Sequence, residues 1–211
     1  MGRAGMEEKP VEAQLAEPAA SSTLELARLA ASGDSGATSR LLRALTPRLV
    51  RVVRAVLGGA HPDVDDAIQQ TLIGFVQALP AFRGDCDPLG YATVIAVRSA
   101  VAVRKRAHVD HARRDDGADA DAMPGARPSP GEEAAAQRRK EILRELLADL
   151  PPEQAEALAM RVVLGWSLEE IASHSAAPLN TVRSRLRLAK EGLRRRIEEK
   201  PELLDALEVR S

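Results

Sequence analysis

The sequence predicts an all-α protein made of two small helical domains on a flexible linker, and three observations predict it. Ala, Leu, Arg and Glu are abundant among the 211 residues, and these side chains lose least on entering a helix. Aromatic residues make up only 2% of the chain, too few for sandwiches or barrels, whose strands rely on aromatic and β-branched side chains. Hydrophobic content is 45%, enough for a core, but residues 115–131 (DDGADADAMPGARPSPG) offer almost nothing to bury and read as a linker.

The expected organisation follows from that break. Residues 1–21 have no helical period and read as a disordered tail. Residues 22–114 form the first domain, 132–200 the second, and 201–211 a C-terminal tail. In the first domain, Thr23 is expected to cap a short helix that ends at the Ser32–Gly36 turn. A second helix repeats Leu41, Leu42, Leu45, Leu49, Val52, Val53 and Val56 at three- and four-residue steps up to Gly58-Gly59, with Pro47 as a potential kink. A third opens at His61-Pro62-Asp63 with Asp65 and Asp66 at its dipole-positive end. Ile68, Leu72, Phe75, Val76 and Leu79 are its expected buried stripe. After a Phe82–Leu89 loop, a fourth helix over roughly 90–106 is apolar early and basic late.

The second domain opens with a helix over 132–150, which breaks and restarts at Leu150-Pro151-Pro152-Glu153, since Pro suits a first helical turn. Ser167 and Glu170 make a capping box for a short helix. A tight Ser175–Pro178 turn then leads to a long helix with Asn180 as the expected cap. On that helix Val182, Leu186, Ala189, Leu193 and Ile197 share one face, while Arg183, Arg187, Lys190 and Arg194 form an adjacent basic stripe. A short helix, a tight turn and a long basic helix form the geometry that seats a recognition helix in the DNA major groove. The bland alternative is a helical hairpin with a solvated basic face.

Net charge is −1, so no partner follows from bulk charge; basic residues instead crowd into 98–114 and 183–196. The single cysteine, Cys86, excludes an intramolecular disulfide. No apolar run is long enough to span a bilayer and no secretory leader is present, so a cytoplasmic location is expected. No GxxxxGK[ST] or GxGxxG loop occurs. His108, Asp110 and His111 could hold a metal, but beside a basic flank entering a linker they read as surface residues. No catalytic residue, metal or cofactor is expected.

These motifs carry a resemblance. Leu150-Pro151-Pro152-Glu153-Gln154, Gly165–Ala172 and Pro178–Leu186 resemble region 4 of the extracytoplasmic-function sigma factors. Asp63–Leu72 is similar to their region 2.2, and Phe82-Arg83-Gly84-Asp85 to the opening of their −10 loop. The resemblance implies a two-domain promoter-selecting subunit of RNA polymerase. Asn180, Arg183, Ser184 and Arg187 would face −35 bases, while Thr181, Arg185 and Lys190 would hold phosphates. Arg83, Asp85, Tyr91, Arg98, Arg104, Lys105 and Arg106 would meet the −10 element. Asp66, Gln69 and Gln70 would dock on the clamp coiled coil of the largest polymerase subunit. The implied partners are core polymerase through that clamp and the flap, promoter DNA, and an anti-sigma factor in those members that have one. The chain departs from the pattern in carrying Leu89-Gly90-Tyr91 where members place larger aromatics, Gln70 for Glu, and Ala176 for the turn glycine. A helix-turn-helix regulator that binds DNA without melting promoters is the other reading.

Overall fold

The computed structural model describes residues 20–115, 142 and 144–199, with side chains for 23–110, 142 and 144–199. The described residues form helices joined by short loops and turns, with no strand among them. Helices α1 (Ala20–Ala31), α2 (Ser35–Leu57), α3 (Val64–Ala78) and α4 (Pro88–Asp115) form the N-terminal bundle, with a 3-10 turn over Leu79–Ala81. Residues 144–149 are helical and lead into α5 (Pro152–Val162), α6 (Leu168–Ser175) and α7 (Leu179–Glu199). The expected linker lies mostly outside the described residues, as does most of the expected 132–150 helix.

Helix α2 is the spine of the bundle. Asp34 caps it, its carboxylate accepting the Ala37 N–H at 2.8 Å, and Gly58 ends it at φ +103°, a conformation closed to most side chains. Leu41, Leu45, Leu49, Val53 and Val56 are buried at helical spacing against α1, α3 and α4. Pro47 lies inside α2, which remains one helix through it. On α4, Ala92, Ala96, Val97 and Ala100 are buried, and their small volume lets the helices approach closely.

Several expectations need correcting. Helix α1 begins at Ala20, so Thr23 is a buried residue within the helix and not its cap. The buried face of α3 runs through Val64, Ala67, Thr71 and Phe75; Ile68 and Leu72 are half-buried, while Val76 is exposed. The sequence reading favoured bulky residues over Ala and Thr, but the Thr71 hydroxyl is satisfied by donating to Ala67 O at 2.7 Å, so it buries without penalty. Helix α4 starts earlier than expected, because the Asp87 carboxylate accepts the Gly90 N–H at 3.0 Å and Pro88 suits the first turn. It also runs on to Asp115, into the segment read as linker.

The two domains pack together. Helix α4 lies against α5 and α6, and one continuous apolar core includes Val97, Leu147, Leu158 and Ile171. Nothing in the sequence pattern announced this contact.

Candidate nucleic-acid interface

The helix-turn-helix is held by local chemistry at each joint. Ser167 Oγ accepts the Glu170 N–H at 3.1 Å, and the Glu170 carboxylate accepts the Ser167 N–H at 2.7 Å, closing the expected capping box. Those bonds hold the Glu170 carboxyl below the usual carboxylate range, the bond to the Ser167 backbone contributing most. Helix α6 ends in a Schellman turn: the Ala177 N–H donates to Ala172 O at 3.1 Å and Ala176 stands at φ +51°. Among the described residues Ala176 is the one non-glycine with positive φ.

Helix α7 packs its Val182, Leu186 and Ala189 face into the core, with Leu193 and Ile197 half-buried farther along. Gly192 permits a close crossing, since a Cβ there would lie 2.8 Å from Leu150 Cδ2. Opposite that face, Asn180, Arg183, Ser184, Arg187 and Lys190 are all exposed, and Thr181 is half-buried. Asn180 falls inside the first turn of α7, so its role as cap is corrected; its side-chain oxygen instead accepts from Arg183 Nη1 at 3.1 Å. Arg187 pairs with Glu191 at 2.6 Å one turn on, an exposed pair that DNA can displace at small cost. Arg185 is less free, paired with Glu153 of α5 at 2.8 Å.

The expected polymerase-facing residues Asp66, Gln69 and Gln70 are exposed on α3. Ile73 and Val76, 43% and 39% exposed, continue that face at three- and four-residue steps. Sequence reasoning missed them by assigning Val76 to the core.

The residues expected at the −10 element are scattered. Arg83 and Asp85 pair at 3.2 Å on an exposed loop. Tyr91 is half-buried in an aromatic cluster, its ring 5.4 Å from Phe82 and 6.4 Å from Phe75. Arg98 reaches across to Glu156 of α5 at 3.3 Å. Arg104 donates to Leu57 O at 2.9 Å, satisfying an orphan carbonyl at the end of α2, and also donates to Arg144 O. Burial, helped by the Arg144 charge, brings the Arg104 guanidinium down to about 10. Lys105 is half-buried and Arg106 exposed. Of the four α4 cations expected at the −10 element, Arg104 is thus a structural clasp in this conformation, and Arg98 is engaged by the other domain.

Sequence reasoning also missed Glu156, Arg144 and His174, which join the domains. Burial pushes the Glu156 carboxyl up against the opposing pull of Arg98. His61, beside Asp63, is held below its ordinary value by burial. The described residues contain no cluster of metal-ligating side chains and no helix long and apolar enough to cross a membrane.

Two family models match the chain in order: sigma-70 region 2 over residues 41–109 and sigma-70 region 4 over residues 140–193. The ECF RNA polymerase sigma factor SigD of Mycobacterium bovis is 30% identical over 161 residues, covering 73% of this chain and 74% of that protein. The ECF RNA polymerase sigma-E factor of Salmonella typhimurium is 29% identical over 146 residues, covering 64% of this chain and 74% of that one. A solved structure of CnrH in complex with the cytosolic domain of CnrY aligns over 85% of this chain and 99% of that one, at 20% identity and a TM-score of 0.48. With both regions matched in order and a relative at this identity over most of its length, the chain belongs to the extracytoplasmic-function sigma factors of the sigma-70 family.

Proposed function

We propose that this sigma factor carries core RNA polymerase to promoters, with α7 reading the −35 element and the N-terminal domain engaging the −10 element. The observation that carries the reading is the exposed α7 stripe, in which Asn180, Arg183, Ser184 and Arg187 stand clear of the core at the entrance of a capped helix-turn-helix. Arg presents a donor fork to guanine edges and Asn a donor–acceptor pair to adenine, whereas Lys190, Thr181 and Arg185 suit phosphates. The exposed α3 face has polar Asp66, Gln69 and Gln70 beside apolar Ile73 and Val76, a composition suited to protein docking. Its partner would be the clamp coiled coil of the largest subunit, with the flap meeting the C-terminal domain. On this reading residues 22–114 and 132–200 are the two working units, and the chain acts in the cytoplasm as a binding protein without catalysis or cofactor. An anti-sigma factor would compete for these same faces.

One observation favours a second reading, a DNA-binding regulator that does not melt promoters. Tyr91 is packed on Phe75 and Phe82, which leaves −10 capture without a free aromatic platform. Purified core polymerase combined with this chain on promoters selected from random DNA separates the two. Specific run-off transcripts support the sigma reading. Selective duplex binding with neither transcripts nor a polymerase complex overturns it in favour of the regulator.

A further inference from the structure

The side of α2 that faces away from the core carries a charge that no element described so far uses. Helix α2 contains Arg40, Arg43, Arg48, Arg51 and Arg54, and no acidic residue from Ser35 to Leu57. Its buried face runs through Leu41, Leu45, Leu49 and Val53. At the opposite pole Arg40, Arg43, Pro47, Arg51 and Arg54 follow one another at steps of three, four, four and three, all exposed. Among the described residues the four arginines of this stripe have no ion-pair or hydrogen-bond partner for their side chains. A solvated helix face ordinarily mixes signs, because like charges three or four residues apart destabilise it. Arg40 with Arg43, and Arg51 with Arg54, bear that repulsion with no compensating acid on the helix. The stripe rises about 21 Å along the axis, at about 1.5 Å per residue. Its far end adjoins the basic half of α4, since Arg104 Nη1 donates to Leu57 O at 2.9 Å, one turn beyond Arg54.

We infer that this α2 stripe is a sequence-independent binding site for the phosphodiester backbone of promoter DNA beside the −10 element. The inference rests on the functional reading above, which brings DNA to the neighbouring end of α4. Charge complementarity selects a polyanion over a protein surface. The α3 face offers Ile73 and Val76 as apolar anchors for a protein, whereas no large hydrophobic residue is exposed on α2. Guanidinium forks with no competing carboxylate match phosphate oxygens in two-point geometry. On α7 the arginines stand beside Asn180 and Ser184, which suits base edges; α2 has neither Asn nor Gln to complement its arginines. Backbone contacts of this kind position a protein and add affinity without selecting sequence. Helix α7 then sets which promoter is chosen, while α2 supplies binding that falls steeply with salt.

The test uses the full chain assembled with core polymerase on a labelled promoter duplex, its affinity followed by anisotropy from about 50 to about 200 mM salt. Each phosphate contact contributes about 0.9 to the slope of log affinity against log salt. Arg51→Gln with Arg54→Gln should flatten that slope by about 1.8, and adding Arg40→Gln and Arg43→Gln should flatten it by about 3.6 in all. Lysine at the same four positions should keep most of the parental slope, since it retains the charge. Preference for the promoter over a duplex with a scrambled −35 element should stay unchanged in every variant. All four side chains are exposed, so circular dichroism should report an intact fold. As a direct readout, Pro47→Cys in a Cys86→Ser background, carrying a photocrosslinker, should attach to DNA. An unchanged slope in the fourfold glutamine variant overturns the inference. Crosslinking to a polymerase subunit, or a loss of core affinity in the absence of DNA, also overturns it and makes the stripe a protein-docking face. A parent chain that forms no complex with core polymerase refutes the sigma reading. The slopes and crosslinks of the chain alone on the same duplex then still decide whether α2 holds the backbone.

Discussion

Helices α4 and α7 both carry arginines at helical spacing, yet the fold treats the two sets in opposite ways. On α7, Arg183 and Arg187 project into solvent and their carboxylate or amide partners lie on the same helix, so they can leave those partners without disturbing the core. On α4, Arg98 is tied to a second domain and Arg104 satisfies backbone carbonyls from a half-buried position. Residue type and spacing alone do not set a cation's availability. The packing around its stem does.

The comparison is most severely tested by separating binding from stability. Arg183→Ala combined with Arg187→Ala should lose about 2–6 kcal/mol of −35 duplex affinity, at about 1–3 kcal/mol for each base contact, measured by fluorescence anisotropy. Because both side chains are exposed, urea unfolding of that variant should shift by no more than about 0.5 kcal/mol. Arg104→Ala should reverse the pattern. Leaving the Leu57 and Arg144 carbonyls without this donor should lower unfolding free energy by about 1.5–3 kcal/mol while duplex affinity stays within about twofold. A stable Arg104→Ala protein would break the distinction between the helices.

Smaller effects sharpen it within the helix-turn-helix. Ser167→Ala removes the reciprocal cap and should cost about 1 kcal/mol. Ala176→Gly should act in the opposite direction, stabilising by up to about 1 kcal/mol, since the left-handed conformation at φ +51° penalises a Cβ more than glycine's added chain entropy does. Thermal melts of both variants check the sign.

The mildest expected effect is a pH response in the N-terminal bundle. His61 is held below the ordinary imidazole value of 6.5, chiefly by burial, so the unfolded chain binds its proton more readily than the folded one. Stability from this group is present above that value and is lost as pH falls below 6.5 toward the folded value. His61 Nδ1 also accepts the Asp63 N–H at 3.2 Å, a bond that protonation removes. Differential scanning calorimetry from about pH 7 to pH 5 should show a falling melting temperature that is reduced in His61→Asn.

Much of this was legible in the sequence. The apolar period of α2, the Ser167–Glu170 box and the Leu150-Pro151-Pro152 restart are local rules, and local rules survive folding. The α7 stripe was legible for the same reason, as its buried and exposed faces are set by spacing within one helix. The face of α3 was not, because a buried Thr71 with an internal hydrogen bond packs more closely than a bulkier neighbour, and hydrophobicity ranks those residues the other way. The fate of Arg98 and Arg104 was hidden for a different reason. Their partners Glu156, Arg144 and Leu57 lie far off in sequence, and no periodicity within α4 encodes them.

Trp166 gives the chain an internal reporter. It is the single tryptophan of the sequence, and its indole lies against the His174 ring, which sits over Gly90 of α4. Any event that withdraws α6 from α4 changes the surroundings of that one fluorophore. Intrinsic emission can therefore follow separation of these two helices in the unlabelled chain.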